Sequence, residues 1–422
     1  MNQLSPPSGA FLSATKPLAS TCCILGLGYI GLPTAAVLSR SGHRVIGVDV
    51  NAQVVATVNE GRIHIVEPDL DQAVAAAVAS GSLSAQLTPA PADVFLIAVP
   101  TPFRSGADGI PQPNIDYVFA AARAIAPVLR PGNLVLLEST SPVGTTEQVA
   151  HVIAEASGLS SEQLHIAYCP ERVLPGRILQ ELISNDRVIG GLTPAAAAAG
   201  QAFYASFCQG ELLPTTARTA ELVKLTENSF RDVNIAFANE LSLVCDHLGI
   251  NVRELIRLAN HHPRVNVLQP GCGVGGHCIA VDPWFIAAAA PHCTPLIQAA
   301  RHVNDGKSRW VIEQLQARAV ALEDQLGRPA RIGCLGLAFK PDVDDLRESP
   351  ALHITTELVV AGLDVLACEP NLSDHPTIKL DPLEQVLEEA DLLVFLVAHS
   401  PFKGLDLAGR VVFDLCGVTE QT

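Results

Sequence analysis

Apolar positions along the chain fall into short, β-rich runs that alternate with longer amphipathic stretches rich in Ala and Leu. The stretches predict helices, among them Leu32–Ser41, Asp69–Ser80 and Tyr117–Val128. The runs predict six strands: Cys22–Leu25, Arg44–Asp49, Val94–Val99, Leu134–Glu138, His165–Tyr168 and Arg187–Ile189. Strand–helix alternation of this kind is typical of a parallel sheet with helices on both faces.

Beyond this first lobe the pattern changes. Thr216–Ala259 contains no strand-like run and predicts one long helix and a shorter one, and the polar segment Leu322–Pro329 is typical of a linker. A second α/β series follows, with strands at Ile332–Leu335 and near Asp364–Cys368, Leu392–Val397 and Val411–Leu415. The predicted fold class is therefore α/β, with two doubly wound Rossmann-like lobes joined by a helical central domain. The predicted boundaries are a flexible tail at 1–20, a first lobe at 21–212, the central domain at 213–321 and a second lobe at 330–422. Ligands bind at the carboxyl ends of strands in such sheets, so two lobes predict a cleft between them.

Charge and cysteine content narrow the class of protein. The 422 residues include 27 Lys and Arg against 43 Asp and Glu, a net charge of −16. This balance argues against a general nucleic-acid binder and against docking on anionic lipid. No apolar stretch has the length of a membrane span, and the first twenty residues lack the charged start and apolar core of a signal peptide. The 11 cysteines, an odd number placed mostly in apolar runs, indicate buried thiols of a cytoplasmic protein.

A glycine triplet at the end of the first predicted strand indicates a dinucleotide cofactor. Gly26 permits a tight turn, Gly28 permits close approach of a pyrophosphate, and Gly31 permits close packing of the following helix. The helix start offers N–H groups to the phosphates. Asp49 ends the next strand, where its carboxylate can accept hydrogen bonds from ribose hydroxyls and would repel a 2′-phosphate, so the prediction is NAD rather than NADP.

The segment from Gly271 to Asp282 carries the densest chemical signal. Four glycines lead to Cys278, and a helix beginning there would lower the thiol pKa and favour the nucleophilic thiolate. Asp282 lies four residues on, although Pro283 leaves its helical placement open. The alternatives are a buried, inert cysteine or a zinc site using His277 and Cys272, but the spacing matches no standard metal motif, so no metal is predicted.

Three further groups of residues have side chains suited to catalysis or anion binding. Lys224 and Asn228 lie one helical turn apart and suit stabilisation of an oxyanion, unless they form a solvated polar stripe. Glu171 follows a strand and suits acid–base work, unless it lies in a surface turn. Phe339, Lys340 and Arg347, in GLAFKPDVDDLRES, follow a strand of the second lobe, within reach of phosphates or ribose. The glycine triplet of this lobe, Gly333–Gly336, is incomplete, so no second cofactor is predicted.

Seven blocks between Cys22 and Leu415 together resemble the nucleotide-sugar 6-dehydrogenases, the family of UDP-glucose dehydrogenase. The blocks are GLGYIGLP, AVPTP, ESTSPVGTTE, YCPERVLPG, ELVKLTENSF, GVGGHCIAVDPWF and FKPDVDDLRES. Within the family, NDRVIGG, TENSFRDVNIAFANELS and RLANHHPRVN are most similar to the bacterial branch that oxidises UDP-N-acetyl-D-mannosamine for surface polysaccharides such as enterobacterial common antigen.

The resemblance implies a four-electron oxidation at C6 of the sugar. The alcohol becomes an aldehyde, Cys278 forms a thiohemiacetal, a second oxidation gives a thioester, and water releases the carboxylate. Lys224 and Asn228 resemble the oxyanion-stabilising pair, with Lys224 also a candidate base. Asp282 and Thr140 resemble the residues that activate or hold water, and Glu171 resembles the acid/base of hydrolysis.

The resemblance also implies binding residues and a homodimer. Cofactor contacts are implied for Tyr29, Ile30, Pro100, Thr101, Thr140 and, across the cleft, Arg347, in addition to the glycine turn and Asp49. UDP-sugar contacts are implied for Arg172, Val173, Leu174, Lys224, Asn228, Arg231, Gly275, Phe339 and Lys340, and for Arg264 from the neighbouring subunit. The first lobe would hold NAD, the second would hold the UDP-sugar, and the long helix, Thr219–Leu248, would form the dimer.

Departures from the family pattern bear on the substrate. UDP-glucose enzymes carry a lysine where this chain has Val281 and a second glutamate where it has Pro175, so the resemblance favours an N-acetylated sugar over UDP-glucose. Cys272 stands where relatives have proline. Other readings are a relative acting on UDP-N-acetylglucosamine or another nucleotide sugar, a two-electron hydroxyacid dehydrogenase, or an NAD-binding protein without catalysis; Cys278 in its glycine loop argues against the last two.

Overall fold

The buried apolar runs form two separate sheets in the computed structural model, which describes residues 19–104, 111–276 and 278–419. These residues divide into two compact units, one within Met1–Thr101 and Asn114–Lys224, the other within Pro102–Pro113 and Leu225–Thr422. The predicted first lobe, 21–212, included the segment Pro102–Pro113, whose described residues, 102–104 and 111–113, belong to the second unit.

The first unit contains the larger sheet. Its elements, in chain order and interrupted by the short hairpin β5–β6 of the second unit, are β1 (Thr21–Leu25), α1 (Gly31–Arg40), β2 (Arg44–Val48), α2 (Ala52–Asn59), α3 (Leu70–Ala79), β3 (Leu83–Gln86), β4 (Val94–Ile97), β5 (Phe103–Arg104), β6 (Gln112–Pro113), α4 (Asp116–Ile125), β7 (Leu134–Leu137), α5 (Thr145–Ser157), β8 (His165–Tyr168), α6 (Ile178–Ser184), β9 (Arg187–Gly191), α7 (Pro194–Tyr204), β10 (Leu212–Thr216) and the start of α8 (Ala217–Leu248).

The strands of this sheet follow the order β10-β9-β8-β7-β4-β1-β2-β3. The central strands β1, β4 and β7 are almost wholly buried, because helices pack on both faces of the sheet. The predicted doubly wound lobe is thus confirmed. One feature differs from an all-parallel sheet: β9 runs antiparallel to β8, while every other neighbouring pair is parallel.

The second unit combines helices with a smaller sheet. Beyond α8 its elements are α9 (Val252–Ala259), α10 (Asp282–Ala289), α11 (Pro295–Leu326), β11 (Arg331–Leu335), α12 (Pro350–Val360), β12 (Asp364–Cys368), α13 (Leu383–Glu389), β13 (Leu392–Phe395) and β14 (Val411–Asp414). The strands are all parallel, in the order β12-β11-β13-β14. The long helix and the second Rossmann-like sheet are where the sequence predicts them.

The predicted linker 322–329 is mostly helical. The helix α11 continues to Leu326 and ends where Gly327 adopts a φ of +68°. It continues because Val311, Leu315, Ala319 and Leu322 recur at helical spacing and pack into the core of the second sheet. Within the described ranges, no helix is both long and apolar enough to cross a membrane.

A buried polar seam joins α8 to α11. Arg301 pairs with Asp232 at 2.7 Å, and the side-chain amide of Asn239 donates to Asn304 Oδ1 at 2.8 Å. All four side chains are buried. Because unpaired groups at this depth would each cost on the order of 1–3 kcal/mol, the paired groups fix the register of the two helices.

Candidate active site

The glycine turn between β1 and α1 has the geometry that a pyrophosphate requires. Gly26 has a φ of +90°, and a Cβ there would lie 2.6 Å from the Ala98 carbonyl oxygen, while a Cβ at Gly31 would collide with the Gly26 carbonyl oxygen. At the exposed Gly28, by contrast, no described atom beyond the two neighbouring residues lies within 4 Å of the Cβ position. The turn is therefore packed against the sheet at Gly26 and Gly31 and leaves space for a ligand at Gly28. It lies at the start of a helix whose N-cap, Ile30, makes no side-chain cap bond.

Asp49 lies beside this turn. Its Oδ2 accepts the Leu27 N–H at 3.0 Å and its Oδ1 accepts the Asn51 N–H at 2.9 Å, so each oxygen carries one protein hydrogen bond. A carboxylate has about four acceptor positions, so room remains for ribose hydroxyls. The residues present thus fit an NAD cofactor, and Tyr29, 37% exposed, borders the same turn.

The other predicted residues of the first unit follow neighbouring parallel strands. Pro100 and Thr101 come after β4, Thr140 after β7 and Glu171 after β8. These strands run parallel to β1 and β2, so their carboxyl ends meet at the same edge of the sheet as the glycine turn. The fold therefore brings the predicted cofactor residues and Glu171 to one edge.

The segment that begins at Glu171 is held from several sides. The Glu171 side chain is 7% exposed and its Oε2 lies 3.2 Å from Arg187 Nη1. The Arg172 carbonyl accepts from Asn185 Nδ2 at 3.2 Å, and the Leu174 N–H donates to Glu181 Oε2 at 2.8 Å. Val173 is half-buried and Leu174 is exposed. Glu171 thus lies in an anchored loop and not in a loose surface turn.

The glycine loop of the second unit is anchored at its start. The Gly271 N–H donates to Asn239 Oδ1 at 2.9 Å, and Ser308 Oγ donates to the Cys272 carbonyl at 2.8 Å. Sequence reasoning missed Asn239 and Ser308. Their only signal was a polar residue on an otherwise buried helix face. Asn239 belongs to α8 and Ser308 to α11, so the packing of these two helices also positions the loop.

The loop continues into a helical turn that contains Cys278. The Cys278 carbonyl accepts the Asp282 N–H at 2.8 Å, which is the hydrogen bond of an α-helical turn, and α10 begins at Asp282. Pro283 does not prevent this, because proline is tolerated in the first turn of a helix. Cys278 is half-buried and lies one turn before the helix start. The helical placement of Asp282, which the sequence left open because of Pro283, is therefore observed in the structure.

Asn228 and Asp282 are in direct contact. Asn228 Nδ2 donates to Asp282 Oδ2, and the two residues are 7% and 2% exposed. Lys224, 8% exposed, lies one turn before Asn228 on α8. This buried position excludes a solvated polar stripe and leaves an ammonium and an amide suited to stabilising negative charge.

Residues 339–348 pack against the glycine loop. The Gly276 N–H donates to the Arg347 carbonyl at 3.1 Å, and a Cβ at Gly276 would lie 2.9 Å from the Phe339 ring. A Cβ at Gly275 would collide with the Glu348 carbonyl. The exposed Arg347 side chain pairs with Asp345, with Nε 2.9 Å from Oδ1, and Lys340 is half-buried. Phe339 and Gly275 are thus brought together as predicted substrate residues.

Two of the predicted binding residues are exposed arginines. Arg231 is exposed on α8, and Arg264 is exposed beyond α9. Among the described residues, no group of three or more His, Cys, Asp or Glu side chains could hold a metal ion, and His277 lies outside that part of the chain. Cys272, which had no explanation in sequence, packs in the core of the second sheet, where burial raises its thiol pKa to about 12.

Sequence profiles of one family match most of the chain. Residues 20–208 match the NAD binding domain of the UDP-glucose/GDP-mannose dehydrogenase family, residues 218–306 its central domain, and residues 333–421 its UDP binding domain.

Individual relatives are similar over nearly their whole length. The UDP-N-acetyl-D-mannosamine dehydrogenase of Yersinia pestis is 54% identical, over 94% of this chain and 99% of the relative. The NDP-N-acetyl-D-galactosaminuronic acid dehydrogenase of Ralstonia nicotianae is 53% identical, over 94% and 96%. Among solved structures, the UDP-D-ManNAc dehydrogenase of Pyrococcus horikoshii has a TM-score of 0.85 at 36% identity, over 94% of this chain and 99% of that one.

Proposed function

Because the chain belongs to the UDP-glucose/GDP-mannose dehydrogenase family, and is thus an NAD-dependent enzyme that oxidises a UDP-sugar, we propose that it converts UDP-N-acetyl-D-mannosamine to UDP-N-acetyl-D-mannosaminuronate. The relative from Yersinia pestis, 54% identical, supports this substrate. The product, an acidic N-acetylated sugar, would be used in surface polysaccharides. The cysteines, most of which are buried, and the NAD requirement fit a cytoplasmic enzyme.

One observation carries the proposed chemistry: Cys278 lies one helical turn from Asp282, and Asp282 is bound to Asn228. A half-buried thiol before a helix start is suited to nucleophilic attack. Cys278 adds to the C6 aldehyde to form a thiohemiacetal, and the oxidised form is a thioester. NAD, when bound at the glycine turn, supplies the hydride acceptor for each oxidation. A bare aldehyde has no bond to the chain, whereas the sulfur adduct holds the carbon for the second oxidation.

The remaining residues transfer protons, stabilise negative charge, or bind water, the sugar nucleotide and NAD. Lys224 accepts the proton of the C6 alcohol, and with Asn228 it stabilises the negative oxygen that develops at C6. Asp282, whose carboxylate is oriented by Asn228, holds the attacking water together with Thr140. Glu171 takes a proton from that water during hydrolysis. Arg172, Val173, Leu174, Phe339 and Lys340 contact the UDP-sugar, and Gly26, Gly28, Gly31 and Asp49 hold NAD.

The stoichiometry of NADH tests this proposal. With purified protein, excess NAD and limiting UDP-N-acetyl-D-mannosamine, absorbance at completion should show about two NADH per sugar, as a four-electron oxidation requires. The variant C278A should lose turnover while still binding NAD. A ratio near one would contradict the thioester, since the reaction would then end at the aldehyde.

The second candidate is the same chemistry on another N-acetylated nucleotide sugar. It is favoured by the relative from Ralstonia nicotianae, whose name refers to an N-acetylgalactosaminuronic acid, at 53% identity. The values of kcat/KM for UDP-N-acetylmannosamine, UDP-N-acetylglucosamine and UDP-N-acetylgalactosamine should favour the first by about tenfold or more, because a mismatched hydroxyl leaves a buried polar group unpaired. Equal or reversed values would shift the assignment to the better sugar.

We further infer a homodimer formed through α8. Phe230, Phe237 and Val244 are 67%, 58% and 47% exposed, and they recur at intervals of seven. Residues seven apart lie along nearly the same line of a helix, so these side chains form one apolar stripe. Leu248, 60% exposed, extends the stripe to the end of the helix. A second copy of α8 would cover it.

A further inference from the structure

A buried cluster of charged and polar side chains lies behind Glu171 in the first unit. Arg187 opens β9, Glu138 follows β7, and Tyr204 ends α7; these three residues are 3%, 3% and 0% exposed. The family resemblance assigns no role to any of them. Charged groups at such depth are costly unless they are paired, so their contacts show what the cluster does.

Arg187 is fixed on three sides. Its Nη1 lies 3.2 Å from Glu171 Oε2, and its Nη2 donates to the Leu182 carbonyl at 3.0 Å. Its guanidinium carbon lies 4.7 Å from the centre of the Tyr204 ring. The guanidinium is planar and its contacts are fixed by neighbouring strands and helices, so it holds the carboxylate in one orientation.

Glu171 is held at both oxygens. While Oε2 meets Arg187, Oε1 accepts the N–H of the next residue, Arg172, at 2.7 Å. The side chain is therefore confined to one rotamer. Among the contacts of the described residues, only the bond within the same loop would remain without Arg187, and the carboxylate would then be able to rotate.

Glu138 shows that the contact with Arg187 is selective. Its Oε1 accepts from the Tyr204 hydroxyl at 2.7 Å, but its buried Oε2 has no hydrogen-bond partner among the described residues. Burial raises the pKa of Glu138 to about 7, and the charge of Arg187 opposes that rise. Two buried acids thus flank one cation, and only Glu171 contacts it directly.

We propose that Arg187 is a positioning residue for hydrolysis, which holds the Glu171 carboxylate in the orientation that takes the proton of the attacking water. This rests on the proposed function of Glu171. In that step the water oxygen bonds to the thioester carbon, one water proton passes to Glu171, the carbon–sulfur bond breaks and the Cys278 sulfur leaves as thiolate. Glu171 then returns the proton to the thiolate, and the product acid loses its own proton. No electrons are transferred.

The test separates the oxidations from hydrolysis. Wild type, R187M, R187K and E171Q are mixed rapidly with NAD and UDP-N-acetyl-D-mannosamine, NADH absorbance is followed, and the acylated fraction of Cys278 is measured by mass spectrometry after acid quenching. In R187M the burst of about two NADH per subunit should keep its rate, while steady-state turnover falls about tenfold to a hundredfold, as small misplacements of catalytic groups do. Acylated Cys278 should accumulate, as in E171Q.

Two comparisons distinguish positioning from general destabilisation. R187K, which keeps the charge but not the planar fork, should accumulate an intermediate amount of acylated enzyme. E138Q removes an equally buried acid of the same cluster that makes no direct contact with Glu171, and should leave the acylated fraction at the wild-type level. The double variant R187M/E171Q should be no slower than E171Q, because both changes act through one carboxylate.

The contrary outcomes are distinct. If E171Q accumulates acylated enzyme and R187M and R187K do not, the inference about Arg187 is wrong while the proposed function stands. If R187M slows the burst as much as turnover, or the double variant is slower by the product of both effects, Arg187 acts elsewhere and the inference fails. If E171Q itself accumulates none, the proposed role of Glu171 fails and takes the inference with it.

Discussion

Replacing Glu138 by glutamine should flatten the pH dependence of stability. Burial raises the pKa of this carboxyl from 4.5 to about 7 in the folded chain. Between these values the folded protein keeps a proton that the unfolded chain has released, so the free energy of unfolding falls as pH rises. Each pH unit in this window removes about 1.4 kcal/mol, which amounts to about 3 kcal/mol by pH 8. Glutamine cannot ionise, yet its Oε1 can still accept the Tyr204 hydroxyl.

Thermal unfolding between pH 5 and pH 8 measures this effect. For a unit of about 200 residues, about 3 kcal/mol corresponds to roughly 6 °C or more in Tm. The Tm of wild type should therefore fall by that much more than the Tm of E138Q over this pH range. E162Q, the same change at an exposed position, should follow wild type. Parallel curves for wild type and E138Q would refute the reasoning, because they would mean that Glu138 is ionised at pH 5 in the folded state.

Three other changes have defined outcomes. Gly306 lies in the interior of α11, and no described atom outside the local helix backbone lies within 4 Å of a Cβ placed there. G306A should therefore stabilise the protein by about 1 kcal/mol, seen as a higher Tm at unchanged kcat/KM. A lower Tm would contradict this open space. G276A should lower kcat by about tenfold or more, because a φ of +83° is strained for alanine and the new Cβ would press on Phe339. A wild-type kcat in steady-state assays would disprove this. In sedimentation, F237E should change the protein from dimer to monomer. V320E should not, although Val320 on α11 is as exposed as Phe237, at 58%. A dimeric F237E would exclude the apolar stripe of α8 as the interface.

In the first sheet, the central strands could be predicted from sequence and the two edge strands could not. β1, β4 and β7 are short, continuous apolar runs because both faces are covered by helices. β3 and β10 lie at the two edges of the sheet, and few of their residues are buried. Their residues therefore show no apolar run, and only pairing with β2 and β9 reveals them as strands.

The candidate site also contains residues that could be predicted from the sequence and residues that could not. The glycine turn and the Cys278 loop depend on local spacing, so their residues were predictable. The groups that hold them were not: Asn239 and Ser308 are 32 and 36 residues away along the chain from the loop atoms that they bind, and Arg187 is 16 residues from Glu171. A polar residue in a helix or strand gives no sign of its distant partner.

The second sheet has a glycine turn after its first strand, as the first sheet does. The acid beside this second turn differs in its hydrogen bonds, and this difference limits how many dinucleotides a chain can bind. Gly336, with a φ of +92°, corresponds to Gly26, and Glu369 after β12 corresponds to Asp49 after β2. Glu369, however, already has five donors: its Oε2 meets the N–H groups of Leu337 and Ala338 and His399 Nε2, and its Oε1 meets the backbone and side-chain N–H groups of Asn371. A carboxylate offers about four acceptor positions. No position remains for ribose hydroxyls, so the second turn is chemically saturated, and calorimetry should find one NAD per subunit.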